Sequence, residues 1–307
     1  MNENKLISLC IPTNGKVEFV LPVLESIYSQ GVDDSLFEVV ITDNGKNSVL
    51  GESIDEFKLH GNLFYYKSEL NGFVNQVDSF RRSNGLFIKM LNHRAKLVKG
   101  ALADLIAIVE KYKESQPCIY CSDGVLSKEE LLECENFDSF VKELSYFSSW
   151  SAGVGIWAKD KAFLESIEYN KMFPHISIIF EERLGSKYII WNKKFMNMSD
   201  EPTKGGYNIF YAFAVVYVDL LKDLMKSGRI TFSTYKSVKK DLRSFLVQWY
   251  YNICVKDNQY TFDTTDMFEN ITSNYSVFDY LYIVFMAQIK FLSANVKSVL
   301  KKCLKFK

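Results

Sequence analysis

Ile7-Ser8-Leu9-Cys10-Ile11-Pro12-Thr13-Asn14 and, further along, Val39-Val40-Ile41-Thr42-Asp43-Asn44-Gly45 decide the fold of this 307-residue chain. Each is an apolar run that stops in a short polar turn. Between them, residues 16–30 carry Val17, Val20, Leu21, Leu24, Ile27 and Tyr28 at the three-and-four spacing of an amphipathic helix. Two strands joined by one helix build a crevice at the carboxyl edge of a parallel sheet. Asp43 falls at the lip of that crevice, where a carboxylate accepts hydrogen bonds from a base or a ribose. No G-x-G-x-x-G and no G-x-x-x-x-G-K-[ST] loop follows the first strand, so dinucleotide and P-loop readings lose their main support.

The alternation continues outward. Residues 62–66, 86–91 and 118–122 read as strands, and 72–83 and 99–112 as helices, which predicts an α/β domain with a mostly parallel central sheet covered on both faces. Residues 128–147 read as an acidic helix, 148–157 as a loop, 173–184 as a helix and 188–191 as a strand. From Gly205 onward the signals are helical, and Thr203-Lys204-Gly205-Gly206 is the natural boundary between a domain over 1–204 and a helical extension over 205–307.

Charge is balanced at 37 basic and 37 acidic residues, so no long-range field for nucleic acid is expected. The six cysteines are scattered, and Cys118-x-x-Cys121 sits in an apolar strand with no second pair at zinc spacing, so no metal role is expected for it. The first residues lack the apolar run of a secretion signal, which points to the reducing cytoplasm. No stretch reaches the ~20 apolar residues that span a bilayer; the longest, residues 209–218 and 280–287, read as buried helices. Residues 290–307 carry six lysines and no acid among apolar residues, a composition that suits an anionic membrane surface or a basic helix end packed on the protein.

These segments together resemble the family-two nucleotide-sugar glycosyltransferases, whose catalytic domain has the Rossmann-like GT-A fold. The matching residues are Ile11-Pro12-Thr13-Asn14, the helix end Leu24 through Gln30, Phe37 through Gly45, Asn71-Gly72-Phe73, and Ser83-Asn84-Gly85-Leu86-Phe87-Ile88. They follow the family's order over the first 120 residues or so, with weaker likeness to near residue 195. The resemblance implies a cytosolic enzyme that moves a sugar from a nucleoside diphosphate to an acceptor hydroxyl, typically with inversion. By analogy it acts in assembly of a surface polysaccharide, on a glycan or lipid-linked acceptor at the inner face of the cell membrane. Pro12 and Thr13 would line the base pocket, with Asn14 a further substrate-binding candidate, Asp43 would hold the base or ribose, and Asn71 and Gly72 would sit near the nucleotide.

Two departures shape the expected mechanism. After its fourth strand the family has acidic residues that hold a divalent cation, and here the segment reads Leu91-Asn92-His93-Arg94-Ala95-Lys96. A guanidinium there can neutralise a diphosphate as an ion would, because its planar fork matches phosphate oxygens. Arg94, helped by His93 and Lys96, is therefore expected to replace the metal, with a Mg or Mn ion on relocated ligands as the alternative; Asn92 is a substrate-binding candidate or a cap for the helix that follows. The family's general base, an Asp at a helix start, corresponds to Phe173-Pro174-His175-Ile176-Ser177, which makes His175 the expected base and Asp123 the reserve. Trp150 is a candidate platform for a sugar ring. The extension could pack on the catalytic domain, form a homodimer or hold the membrane. A catalytically silent sugar-nucleotide-binding or scaffold protein is the rival reading, and a nucleotidyltransferase, lacking its glycine-rich basic loop, a weaker one.

Overall fold

The computed structural model describes residues 5–47, 49–201, 204–256 and 258–305, with side chains described through Ala294. The chain divides into two compact units, Met1–Ser199 and Asp200–Lys307.

In the first unit the elements are β1 (Ile7–Thr13), α1 (Val17–Tyr28), β2 (Phe37–Asp43), α2 (Val49–Ser53), α3 (Asp55–Lys58), β3 (Leu63–Lys67), α4 (Asn75–Arg82), β4 (Phe87–Met90), β5 (Ala95–Leu97), α5 (Ala101–Tyr112), β6 (Cys118–Cys121), β7 (Leu131–Cys134), α6 (Phe137–Leu144), β8 (Gly155–Trp157), α7 (Pro174–Ile179), β9 (Tyr188–Trp191) and β10 (Met196–Met198). The central sheet has the order β3-β2-β1-β4-β8, with β8 antiparallel at the edge and the other neighbours parallel. Ile7, Leu9, Ile11, Val39 and Ile41 are shut off from solvent, and α1 lays Val20, Val23, Leu24 and Ile27 into the same core. Burial on both faces explains why β1 and β2 are apolar runs rather than alternating strands.

β2 lies on one side of β1 and β4 on the other, so the strand order reverses between β1 and β4. A crevice opens at the carboxyl ends of strands at such a switch point. Thr13 ends β1 there, and Asn92, His93 and Arg94 follow β4.

In the first unit three elements differ from the expectation. Cys118–Cys121 is a strand, but it joins a separate sheet of order β6-β9-β7, linked to the central one by a bridge between Tyr120 and Val154. The segment 128–147 is not one helix: Leu131–Cys134 pairs antiparallel with β9 before α6 begins, capped by Asn136. The helix expected over 173–184 is the single short stretch Pro174–Ile179.

The second unit comprises β11 (Gly205–Asn208), α8 (Val218–Lys226), α9 (Phe232–Tyr250), β12 (Thr261–Asp263), α10 (Met267–Thr272) and α11 (Val277–Lys305), with π-helical turns at Tyr211–Tyr217 and Tyr251–Val255. Its core holds Leu221, Leu224, Val238, Leu242, Leu246, Ile271, Ile283 and Ala287. Of the two apolar stretches expected to be buried, 209–218 is largely buried, whereas Val277–Ala294 is 11% buried. By length and composition that helix is able to cross a membrane, which overturns the expectation that no segment is. Most of the lysine-rich stretch, from residue 295 on, lies outside the described side chains.

Candidate functional site

At the switch point, residues from β1, α1 and the end of β4 converge. Thr13 Oγ1 lies 2.9 Å from His93 Nδ1 and accepts the Gly15 N–H at 3.2 Å. Asn92 folds its side-chain oxygen back onto the Arg94 N–H at 3.0 Å, an Asx turn that sets the direction of the arginine. Arg94 is half-buried, and its guanidinium donates to the Ser199 carbonyl at 3.2 Å. The ring of Phe19 collects two cations, Lys16 Nζ at 5.2 Å and Arg94 Cζ at 5.9 Å, and packs against the His93 ring at 5.6 Å. Like charges so close repel, and an aromatic face offsets part of that cost. Phe19 escapes a reading for core residues, yet a signal exists. It falls opposite the Val17, Val20, Leu24 stripe of α1, an aromatic ring on the polar side of a helix's first turn.

Beside this cationic mouth stands a second cluster, on β2 and β3. Asp43 is fully buried; its Oδ1 accepts the Gly45 N–H at 2.7 Å, and its Oδ2 accepts Tyr65 Oη–H at 2.7 Å and Lys67 Nζ at 3.0 Å. Lys67 also donates to the carbonyls of Gly45 and Asn47. Burial and the Asp43 carboxylate push the Tyr65 hydroxyl above its ordinary value, so it remains a donor. Gly45 is required sterically, because a Cβ there would meet the Asn14 carbonyl oxygen at 2.4 Å. Asn44 donates to the carbonyls of Leu70 and Gly72, at 3.0 and 3.1 Å, which draws the exposed Asn71-Gly72 turn against the end of β2. Asn75, unrecognised from sequence, ties β1 to β2 by donating to the carbonyls of Thr13 and Thr42, and its buried Oδ1 has no partner among the described residues. Pro12, Thr13, Asn14, Asp43, Asn71, Gly72, Asn92, His93 and Arg94 thus line the carboxyl edge of β1, β2 and β4.

The remaining candidates belong to another part of the unit. Asp123 has a left-handed φ of 58° and is 6% exposed. Its Oδ1 accepts the backbone N–H groups of Phe195 and Met196, at 2.7 and 2.8 Å, and its Oδ2 pairs with Lys194 at 2.8 Å. A carboxylate so engaged anchors the chain entering β10, which pairs with β5 immediately after Arg94. His175 is 4% exposed, and its Nε2–H donates to the Ser149 carbonyl at 2.8 Å, which leaves Nδ1 as a lone-pair nitrogen with no partner among the described residues. Burial pushes the ring down to about 4, so it is neutral at pH 7. Trp150 adjoins Ser149, is half-buried against the main core, and accepts a hydrogen bond from Tyr120 at its carbonyl. Trp157, by contrast, is a core residue, its indole N–H on the Pro117 carbonyl.

Lys89 connects these parts. It is fully buried on β4 and donates to the carbonyls of Met90 and Ala152. Burial lowers its pKa, while Cys121, Asp123 and Cys10 raise it. The 149–153 segment that carries Trp150 and meets His175 is thereby pinned to the strand that delivers Arg94.

Among solved structures, TarS of S. aureus, residues 1–349 in complex with UDP-GlcNAc, superposes with a TM-score of 0.54 at 13% identity, covering 80% of this chain and 72% of that one. The mannosyltransferase PcManGT from Pyrobaculum calidifontis, in complex with GDP-Man and Mn2+, gives 0.50 at 11% identity over 95% of this chain and 88% of its own. The fold is GT-A. By sequence, the chain is 30% identical over 135 residues to abequosyltransferase RfbV of Salmonella typhimurium, a match covering 43% of this chain and 39% of that protein, so it spans less than half the length of this relative. No protein-family model matches. The proteins that this GT-A chain is similar to are glycosyltransferases. Among its described residues, no three His, Cys, Asp or Glu side chains are grouped to hold a metal ion.

Proposed function

We propose that this chain is an inverting glycosyltransferase that moves a sugar from a nucleoside-diphosphate donor to a hydroxyl of a glycan or lipid-linked acceptor, in surface-polysaccharide assembly at the cytosolic leaflet. The observation that carries the reading is the end of β4, where Asn92, His93 and Arg94 meet Thr13, Lys16 and Phe19 at the switch point. Mg and Mn favour carboxylate oxygens. This strand end offers instead an amide oxygen spent on the Arg94 N–H, an imidazole and a guanidinium, a set that does not fit such an ion. It does suit a diphosphate.

In the proposed reaction the acceptor oxygen attacks the anomeric carbon from the face opposite the diphosphate, and the bond from that carbon to the β-phosphate oxygen breaks. Negative charge gathers on the leaving diphosphate. Arg94 donates to its oxygens through two N–H groups, with Lys16 adding positive potential and the His93 ring beside them, and such preorganised donors lower the barrier without reorganising. The base and ribose lie against Pro12, Thr13, Asn14 and the loop that Asp43 and Asn44 hold, near Asn71 and Gly72. The base proposed for the acceptor proton is His175 Nδ1, whose lone pair is unshared although shut off from solvent in this conformation, in preference to Asp123, both of whose oxygens are engaged. Trp150 faces the sugar.

One observation favours a second reading. His175 is buried, and a silent donor-binding protein of the same fold would need no accessible base. Thermal stabilisation by UDP, GDP, CDP and dTDP in the presence of EDTA, followed by assay of the matching sugar nucleotides for release of free sugar, separates the possibilities. The proposal expects one diphosphate to raise the melting temperature without metal and its sugar nucleotide to be slowly hydrolysed. Stabilisation only with Mn2+ overturns metal independence, and binding without hydrolysis or transfer overturns the enzyme.

A further inference from the structure

Among its described side chains, α11 has two apolar faces, one buried in its unit and one exposed. Ile283 and Ala287 are fully buried within the second unit, where the first turn is also fixed by the Asp279–Arg243 ion pair at 2.5 Å. On the opposite side Phe278, Leu281, Phe285 and Leu292 are 84%, 56%, 64% and 61% exposed, with Tyr282 and Ile289 between them. Steps of three and four place these side chains on a single stripe of the helix. An uncovered stripe of large apolar groups signals an interaction surface.

Charge identifies what it meets. No acidic residue follows Asp279, while Lys290, Lys297, Lys301, Lys302, Lys305 and Lys307 do. Lys290 donates to Gln248 of α9, and the lysines beyond it follow along the same chain with no carboxylate among them. An anionic bilayer answers both features, since its headgroups attract the lysines and its acyl boundary accepts the stripe. The buried face and the Asp279–Arg243 pair hold the helix to its unit, so it lies along the surface rather than crossing the bilayer.

We infer that the outward stripe of α11 is a docking surface for an anionic lipid membrane, with Phe278, Leu281, Phe285 and Leu292 entering the headgroup boundary. This goes beyond the proposed reaction and does not rest on it, because binding is read without turnover. The test is co-sedimentation of the full chain with vesicles of phosphatidylcholine containing phosphatidylglycerol, against vesicles of phosphatidylcholine alone. The chain should pellet with the anionic vesicles, less so at high salt. The triple variant Phe278→Ser, Phe285→Ser, Leu292→Ser should partition at least about tenfold more weakly. Should that variant melt early, Phe278→Ser alone, at the most exposed of these positions, must still weaken partitioning. A chain that stays in the supernatant, variants that bind like the parent, or a solution dimer that the triple variant dissociates each overturns the proposal.

Discussion

Arg94 carries the sharpest consequence at the residue scale. If its fork stabilises the leaving diphosphate, Arg94→Ala should raise the barrier of the chemical step by about 2–4 kcal/mol, seen as a fall in kcat in single-turnover assays. Lysine at this position restores charge without the two-pronged geometry and should recover only part of the loss. Asp43→Ala acts differently. Gly45 N–H, Tyr65 and Lys67 lose their common acceptor, so donor affinity should weaken more than turnover, checked by titration with the diphosphate that stabilises the protein. His175 links site and pH. Its folded value is near 4 against 6.5 for the free side chain. Above that window both states are neutral. Within it only the unfolded chain takes up the proton, so stability falls as pH drops, by on the order of 1–3 kcal/mol. Urea melts of the parent and of His175→Phe between those pH values should show this slope in the parent alone. His175→Ala should also lower turnover more than donor affinity, and the opposite pattern would remove it as the base. The places of Asp43 at the end of β2 and of His93 and Arg94 in the turn after β4 were legible because each belongs to a recognisable segment. Phe19, Asn75 and Lys89 were not, since their roles arise from atoms distant in sequence.

Among the elements, the long and strongly patterned ones could be read and the short ones could not. β1, β2 and α1 carry enough apolar residues for periodicity to speak. β5, β7 and β10 are strands of three or four residues, too short for a pattern, and they exist because a partner strand satisfies their backbone. Acidic residues around Leu131 masked the strand there as a helix surface, and the pairing with β9 prevails over that local preference. The β5–β10 ribbon bears on the site directly, because the Arg94 carbonyl accepts the Ser199 N–H at its end. Asp123 secures the entry to β10, so Asp123→Ala would leave the Phe195 and Met196 N–H groups buried without their acceptor. This variant should cost about 2–4 kcal/mol in urea unfolding. Donor affinity should drop with it as Arg94 loses its support, while Asp123→Asn, which keeps an acceptor oxygen, should recover much of both.

At the scale of the whole molecule, the α/β character of the first unit and the helical character of the second follow from patterning that spans many residues. The outward face of α11 did not, because hydrophobicity in sequence does not say which side of a helix finds a partner. The Arg94 guanidinium after β4, with Lys16 beside it, does for the diphosphate in the proposed reaction what a bound ion would otherwise do. The most direct measurement is turnover of the donor sugar nucleotide by protein stripped with EDTA, compared before and after addition of Mn2+. Undiminished turnover in EDTA with no gain from Mn2+ is expected. Turnover abolished by EDTA and restored by Mn2+ would contradict it.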